Sequence, residues 1–273
     1  MTSYRRSFAW ALPVALSAIV FNVTPAVAQA FPDKPIRIVT GGAGGGNDVL
    51  ARLIGQGLIA SWGQQVVVDN RPSGVIPGEI TAKAAPDGYT LLLASATHGV
   101  NPGLRDKLPY DSIKDFTPIT LVASSPLVFV AHPSLGVSNI KELVAAAKAK
   151  PGVITYGSSG PGTGGHLAVE LLNWLAGIKL VHVPYKGAGP ALIDLVGGQI
   201  QVVCTSPLPA MPHVKAGRLK GLAMASAKRH ASFPDVQTMA EAGFKDQESE
   251  TLQGVYFPAG TPAAIVKKFH ADL

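Results

Sequence analysis

At 273 residues, 47% of them hydrophobic and 15% charged, the chain is long and apolar enough to bury a large core, which excludes a disordered polypeptide. Its single cysteine, Cys204, excludes an internal disulfide framework and any multi-cysteine zinc or iron–sulfur site. The formal charge of +6 is scattered, with no Lys/Arg run interleaved with aromatics, so nucleic acid is not an expected partner.

Residues 1–30 read as an export signal. Arg5 and Arg6 supply a positive start, and Phe8 to Val23 is apolar except at Pro13, Ser17 and Asn22. Ala26-Val27-Ala28 or Ala28-Gln29-Ala30 then offers the small residues of a cleavage site. Arg5-Arg6-Ser7-Phe8 partly matches a twin-arginine signal, while the apolar run also suits the general export route. Cleavage leaves 21 basic against 17 acidic residues, a charge of +4. No later stretch approaches the ~18 uninterrupted apolar residues of a membrane span, so the mature protein is expected to be exported and soluble.

From residue 36 onward, strand-like runs alternate with helical patterns. Ile36–Thr40 predicts a buried strand, followed by a glycine loop and a helix from about Asn47 to Trp62. Val66–Val68 is the next strand, then a helix over Gly78–Ala85, a Pro86-Asp87-Gly88 turn and a strand at Tyr89–Ala94. A second set starts near Leu127–Ala131, continues through a capped helix at Asn139–Ala149 and a strand at Val153–Tyr156, and reaches a second glycine loop. A helix over His166–Leu175 follows, and Val181–Val183, Ala191–Val196, Val202–Thr205 and Leu219–Met224 continue the alternation. This order predicts an α/β fold of two lobes, each a mostly parallel sheet flanked by helices. Residues 31–123 and 226–273 are assigned to the first lobe and 124–225 to the second.

Two segments share one grammar of strand, small polar glycine loop and helix start: Gly41–Asp48 and Gly157–Gly165. Exposed backbone N–H groups at a helix start make such places ready anion sites, although each segment also fits a plain helix cap, with Asn47 or Thr163 satisfying its own backbone. Gly160-Pro161-Gly162-Thr163-Gly164-Gly165 formally matches a dinucleotide fingerprint, but no acidic residue ends the next strand. The first loop lacks the closing Gly-Lys-Ser/Thr of a phosphate loop. No Gly-x-Ser-x-Gly elbow and no His-Glu-x-x-His pair occur. His98, His166, His182 and His213 are therefore expected to be structural, Asp48 to complement a helix dipole and Cys204 to be a packed thiol. No cofactor, metal or catalytic residue is expected.

Pro35-Ile36-Arg37-Ile38-Val39, the glycine loop ending in Asn47-Asp48, Asn70-Arg71-Pro72 and Lys83 to Leu92 form an ordered series of motifs. Leu108-Pro109-Tyr110-Asp111, Lys114 to Pro118, Ser158-Ser159-Gly160, His182 to Gly187 and Pro234-Asp235-Val236 continue it. The series, over about Phe31 to Leu273, resembles the tripartite tricarboxylate transporter receptors, also called Bordetella uptake gene receptors. The resemblance implies a type II periplasmic binding protein, a monomer without catalytic activity. Such a receptor closes like a flytrap on a small organic carboxylate and delivers it to a membrane permease. Matched to the family's motifs, the ligand-binding residues would be Gly45, Gly46, Asn47, Ser95, Thr97, Ser159, Gly160, Thr163, Thr205 and Ser206.

The chain departs from that pattern in places. Thr205-Ser206 stands where many members carry Asp-Asn, which removes a partner for a ligand amine. The chain also ends within the helical pattern Ala263–Leu273, where family members continue, so the C-terminal part of the first lobe is expected to be truncated and its folding marginal. Two other functions stay open at this level: an exported α/β enzyme acting on a carboxylate, and a ligand sensor for a signalling partner.

Overall fold

The computed structural model describes residues 31–273 except Ser73; the expected export signal lies outside them. The first part of the chain forms β1 (Ile36–Thr40), α1 (Gly46–Trp62), β2 (Val66–Asn70), α2 (Ile76–Ala82), β3 (Thr90–Ser95), α3 (Thr97–Leu104) and β4 (Phe116–Pro126). The middle part contributes β5 (Val128–Ala131), α4 (Ile140–Ala149), β6 (Thr155–Ser158), α5 (Gly164–Ala176), β7 (Val181–Pro184), α6 (Ala188–Val196), β8 (Val202–Thr205), α7 (Pro207–Lys215) and β9 (Lys220–Met224). The chain closes with β10 (Glu250–Pro258) and α8 (Ala263–Asp272).

Two five-stranded sheets result, in the orders β2-β1-β3-β10-β4 and β7-β6-β8-β5-β9. β1 pairs in parallel with β2 and β3, and β6 in parallel with β7 and β8. In each sheet one strand runs against the other four: β10 in the first and β5 in the second. Both are the strands the chain forms on arriving from the other sheet, β5 directly after β4 and β10 after β9. The expected two-lobed α/β fold is therefore present, each mostly parallel sheet carrying one antiparallel insertion.

The central strands β3, β5 and β8 are buried on both faces, as their near-continuous apolar runs require. Along β5, Val128 and Val130 face one core with Leu192, Leu195 and Val203, while Phe129 and Ala131 face the other with Val169, Leu172 and Val202. In the first sheet Ile36, Ile38, Leu91 and Leu93 pack with Ala51 and Leu58 of α1, Phe257 of β10 and Phe269 of α8. Glycines end the helices as expected from their conformational freedom: Gly63 and Gly177 close α1 and α5 at φ 69° and 61°, and Gly88 makes the predicted turn at φ 84°. Asn139 caps α4 by accepting from the Glu142 N–H at 3.0 Å.

One stretch departs from expectation. Residues 226–244, assigned by sequence to the first lobe, pack on the second sheet: Phe233, Met239 and Ala242 are buried in its cores, and Met224 bridges Thr238. Their apolar side chains cover β9, which would otherwise be an edge strand. The sequence reading also passed over α3, β4 and α7.

Candidate functional site

β1 lies between β2 and β3, and β6 between β7 and β8, so each sheet has a point where successive connections diverge to opposite sides. Ligands of open α/β sheets bind at the carboxyl ends of the strands at such points. The loops there face each other across a cavity of about 120 Å³, the space of about four waters. It is lined from the first lobe by Gly41, Gly42, Gly45, Gly46, Asn47, Gly74, Ser95 and Thr97, with Thr251 and Gln253 of β10. Leu127, Ser159, Thr163, Gly164, Gly165, Ala188, Cys204, Thr205 and Ser206 complete the wall.

Nine of the ten residues singled out in the sequence lie in this lining. Gly160 does not. Its φ of +126° and its polar groups serve the loop instead: the N–H donates to Ser158 Oγ, and the carbonyl accepts from Thr163 Oγ1 at 2.7 Å. Thr251 and Gln253 were not among the residues expected to bind the ligand. The antiparallel register that sets Gln253 opposite Ser95 carries them to the cleft, and no local motif announces that register.

Five helices begin at the cavity wall: α1 at Gly46, α3 at Thr97, α5 at Gly164, α6 at Ala188 and α7 after Ser206. None has a side-chain cap, in contrast to α4, which does not line the cavity and is capped by Asn139. Thr163 stands at the N-cap of α5 but donates to Gly160, and Asn47 lies inside the first turn of α1. Uncapped first-turn amides and the positive ends of helix dipoles thus converge on one space. No Asp, Glu, Lys, Arg or His is in the lining. The side chains of Asn47, Ser159, Thr205, Ser206 and Gln253 make no hydrogen bond among the described residues, which leaves their capacity for a guest. A second space of about 30 Å³, the size of one water, continues to His98, whose buried Nδ1 has no protein partner.

Each loop has its own support. Asp48, 6% exposed, accepts from the Gly44 N–H and the Asn70 amide at 3.0 Å each and pairs with Arg52. Burial pushes its carboxyl up, but those three donors outweigh it and hold the pKa below the usual 3.8. A depressed carboxylate stabilises the fold fully above its unfolded pKa and loses that contribution as pH falls through the folded value. Asp48→Asn is therefore expected to cost about 1–3 kcal/mol at pH 7. Urea denaturation should show the gap closing below about pH 4; a gap independent of pH would refute this role.

The second loop rests on stacked rings. His182 and His166 are 4.3 Å apart between centroids, Tyr156 stacks on His182 at 4.9 Å, and Tyr156 Oη donates to Glu170 at 2.5 Å. Burial holds both imidazoles below their ordinary value. His182 Nε2 lies 2.7 Å from Ser158 Oγ, a serine–histidine contact invisible in the sequence. Ser158 is 1% exposed, bonds to Gly160 and does not line the cavity, so this contact shapes the loop. Cys204 is buried, and burial pushes its thiol pKa up, as expected of a packed cysteine.

The two lobes meet backbone to backbone beside the cavity. Gly189 N–H donates to Ala43 O at 3.2 Å. A Cβ on Gly42 would stand 2.2 Å from Lys186 O and 2.7 Å from Gly187 Cα, and one on Gly44 (φ +77°) would stand 2.6 Å from Gly189 Cα. Only glycine permits this approach.

Paired sheets with a neutral, helix-lined cleft between them define the class of two-lobed periplasmic binding proteins. Residues 50–273 match the model of the tripartite tricarboxylate transporter family receptor, and the chain belongs to that family. It is 38% identical to protein BugT of Bordetella pertussis, over 89% of this chain and 76% of that one. Two solved structures from Rhodopseudomonas palustris are similar across 89% of this chain. One, determined with adipate, is 33% identical with a TM-score of 0.85 over 82% of its own length. The other, MatC with bound malate, is 32% identical with a TM-score of 0.84 over 84% of its length. Relatives of this family are solute-binding proteins.

Proposed function

We propose that the protein captures a small organic carboxylate in the interlobe cleft and delivers it to the membrane permease subunits of a tripartite tricarboxylate-type transporter. On this proposal the export signal is removed and the receptor works as a monomer in the periplasm. The observation that carries it is the convergence of five uncapped helix starts with neutral hydroxyl and amide donors on one cavity. Such a wall stabilises an anion without an arginine or lysine. The solved structures of its relatives with adipate and malate support small carboxylates as ligands of such receptors. A carboxylate bridging helix starts from both lobes favours the state in which the lobes meet, so closure follows from its differential affinity for that state. Among the described residues, no nucleophile and base stand together in the lining, which disfavours an enzyme acting on the same ligand.

Titration calorimetry with a panel of small carboxylic acids and their methyl esters tests the proposal. Esterification should weaken binding more than Ser159→Ala or Thr97→Ala. Each substitution is expected to cost about 1–3 kcal/mol where it leaves a carboxylate oxygen unpaired. Equal affinity for acid and ester would defeat the anion reading.

A further inference from the structure

Gln253 is the buried amide of the cleft, and a bare carboxylate leaves part of its chemistry unused. It is 3% exposed, lies on β10 and lines the cavity. Its backbone stands opposite Ser95 of β3 and Ala123 of β4, next to an irregularity in the β10–β4 register at Gln253/Gly254. Oε1 is buried with no hydrogen-bond partner. Nε2 lies at the start of α1, 3.8 Å from where a Cβ on Gly46 would stand. Buried amides are nearly always paired, and an exception in a binding cleft points to a partner that arrives with the ligand.

An amide presents a donor and an acceptor on adjacent atoms. A carboxylate offers acceptors only, so it can take the N–H but leaves Oε1 orphaned. A hydroxyl on the carbon beside the carboxylate supplies the missing donor. An ammonium group would supply it too, yet no acidic side chain lines the cavity, and Asp48 already serves Gly44, Asn70 and Arg52. A cation enclosed there without a counter-charge is disfavoured. We infer that Gln253 is a specificity-determining residue that selects a hydroxycarboxylate over its unsubstituted and amino analogues. This rests on the cleft holding a carboxylate, as proposed above.

The test is titration calorimetry of the full chain with matched diacids: malonate and tartronate, succinate and malate, glutarate and 2-hydroxyglutarate, adipate and 2-hydroxyadipate. Aspartate and glutamate serve as amino members. In the set that binds, the hydroxy acid should bind about tenfold tighter than the unsubstituted acid, and the amino acid more weakly than either. Gln253→Met keeps the side chain's length and removes its hydrogen bonding, so the ratio should fall to within about twofold. Equal affinities within a wild-type pair, a preferred amino acid, or a ratio unchanged in Gln253→Met would overturn the assignment. The wild-type ratios decide it even where the variant does not fold. Binding of none of these acids overturns the carboxylate proposal and this one together, whereas binding without discrimination overturns this one alone.

Discussion

Gly42→Ala is expected to weaken ligand capture by roughly 10- to 100-fold while leaving the folded lobes intact. The added methyl would stand 2.2 Å from Lys186 O and 2.7 Å from Gly187 Cα, both backbone atoms that no rotamer change can move aside. Overpacking a tight contact costs about 1–3 kcal/mol. Here the contact exists only when the lobes meet, so the cost falls on the closed state alone, and a ligand that requires closure loses the same amount. Gly44→Ala should be worse, because its φ of +77° adds strain for any L side chain to a 2.6 Å approach to Gly189 Cα. Small-angle scattering should show the ligand-induced contraction of the wild type reduced in Gly42→Ala. Unchanged affinity and unchanged contraction would mean that this contact does not govern closure.

Gly165→Ala is expected to lower the melting temperature by on the order of 5 °C. In an ordinary helix the same exchange gains about 1 kcal/mol, because alanine loses less backbone freedom than glycine. At Gly165, in the first turn of α5, the Cβ would stand 2.1 Å from Cys204 O of β8. The helix must move off the strand, at about 1–3 kcal/mol of overpacking, and each kcal/mol shifts the melting temperature by ~2–4 °C in a protein of this size. Gly57→Ala is the internal control: it lies in α1 with nothing within 4 Å of its would-be Cβ, and should hold or raise the melting temperature. Calorimetry on both variants decides the matter, and a Gly165→Ala protein as stable as Gly57→Ala would refute the clash. Displacing α5 also shifts Ser159 and Thr163, so ligand affinity should fall with stability.

The two glycine loops were legible in the sequence as helix starts, and the family motifs led to nine of the residues that line the cavity. Elements whose neighbours along the chain decide their conformation were legible too. Val202–Thr205 is a strand because β-branched and apolar residues run without a break, Ile36–Thr40 because only Arg37 interrupts such a run, and α4 starts where Asn139 can cap it. The omissions have physical causes. α7 carries Pro207, Pro209 and Pro212, which read as a loop, yet Pro207 stands at the first helical position where no N–H is needed. β4 is half-exposed with no clean alternation, and it is a strand because β10 pairs along its whole length.

By itself the sequence determined the α/β alternation, most of its strands and helices, and where the two glycine loops stand. Tertiary structure decided which of them meet. β10 enters the first sheet from more than 120 residues beyond β4, and its register, set by pairing with β3 and β4, brings Gln253 and Thr251 to the cleft. The same holds for the seam where Gly42 and Gly44 meet Gly187 and Gly189. Local propensity acts over a few residues, whereas strand register and the approach of two lobes are settled by packing between segments far apart in the chain. A motif can therefore announce a glycine, but only the folded chain shows what that glycine lets come close.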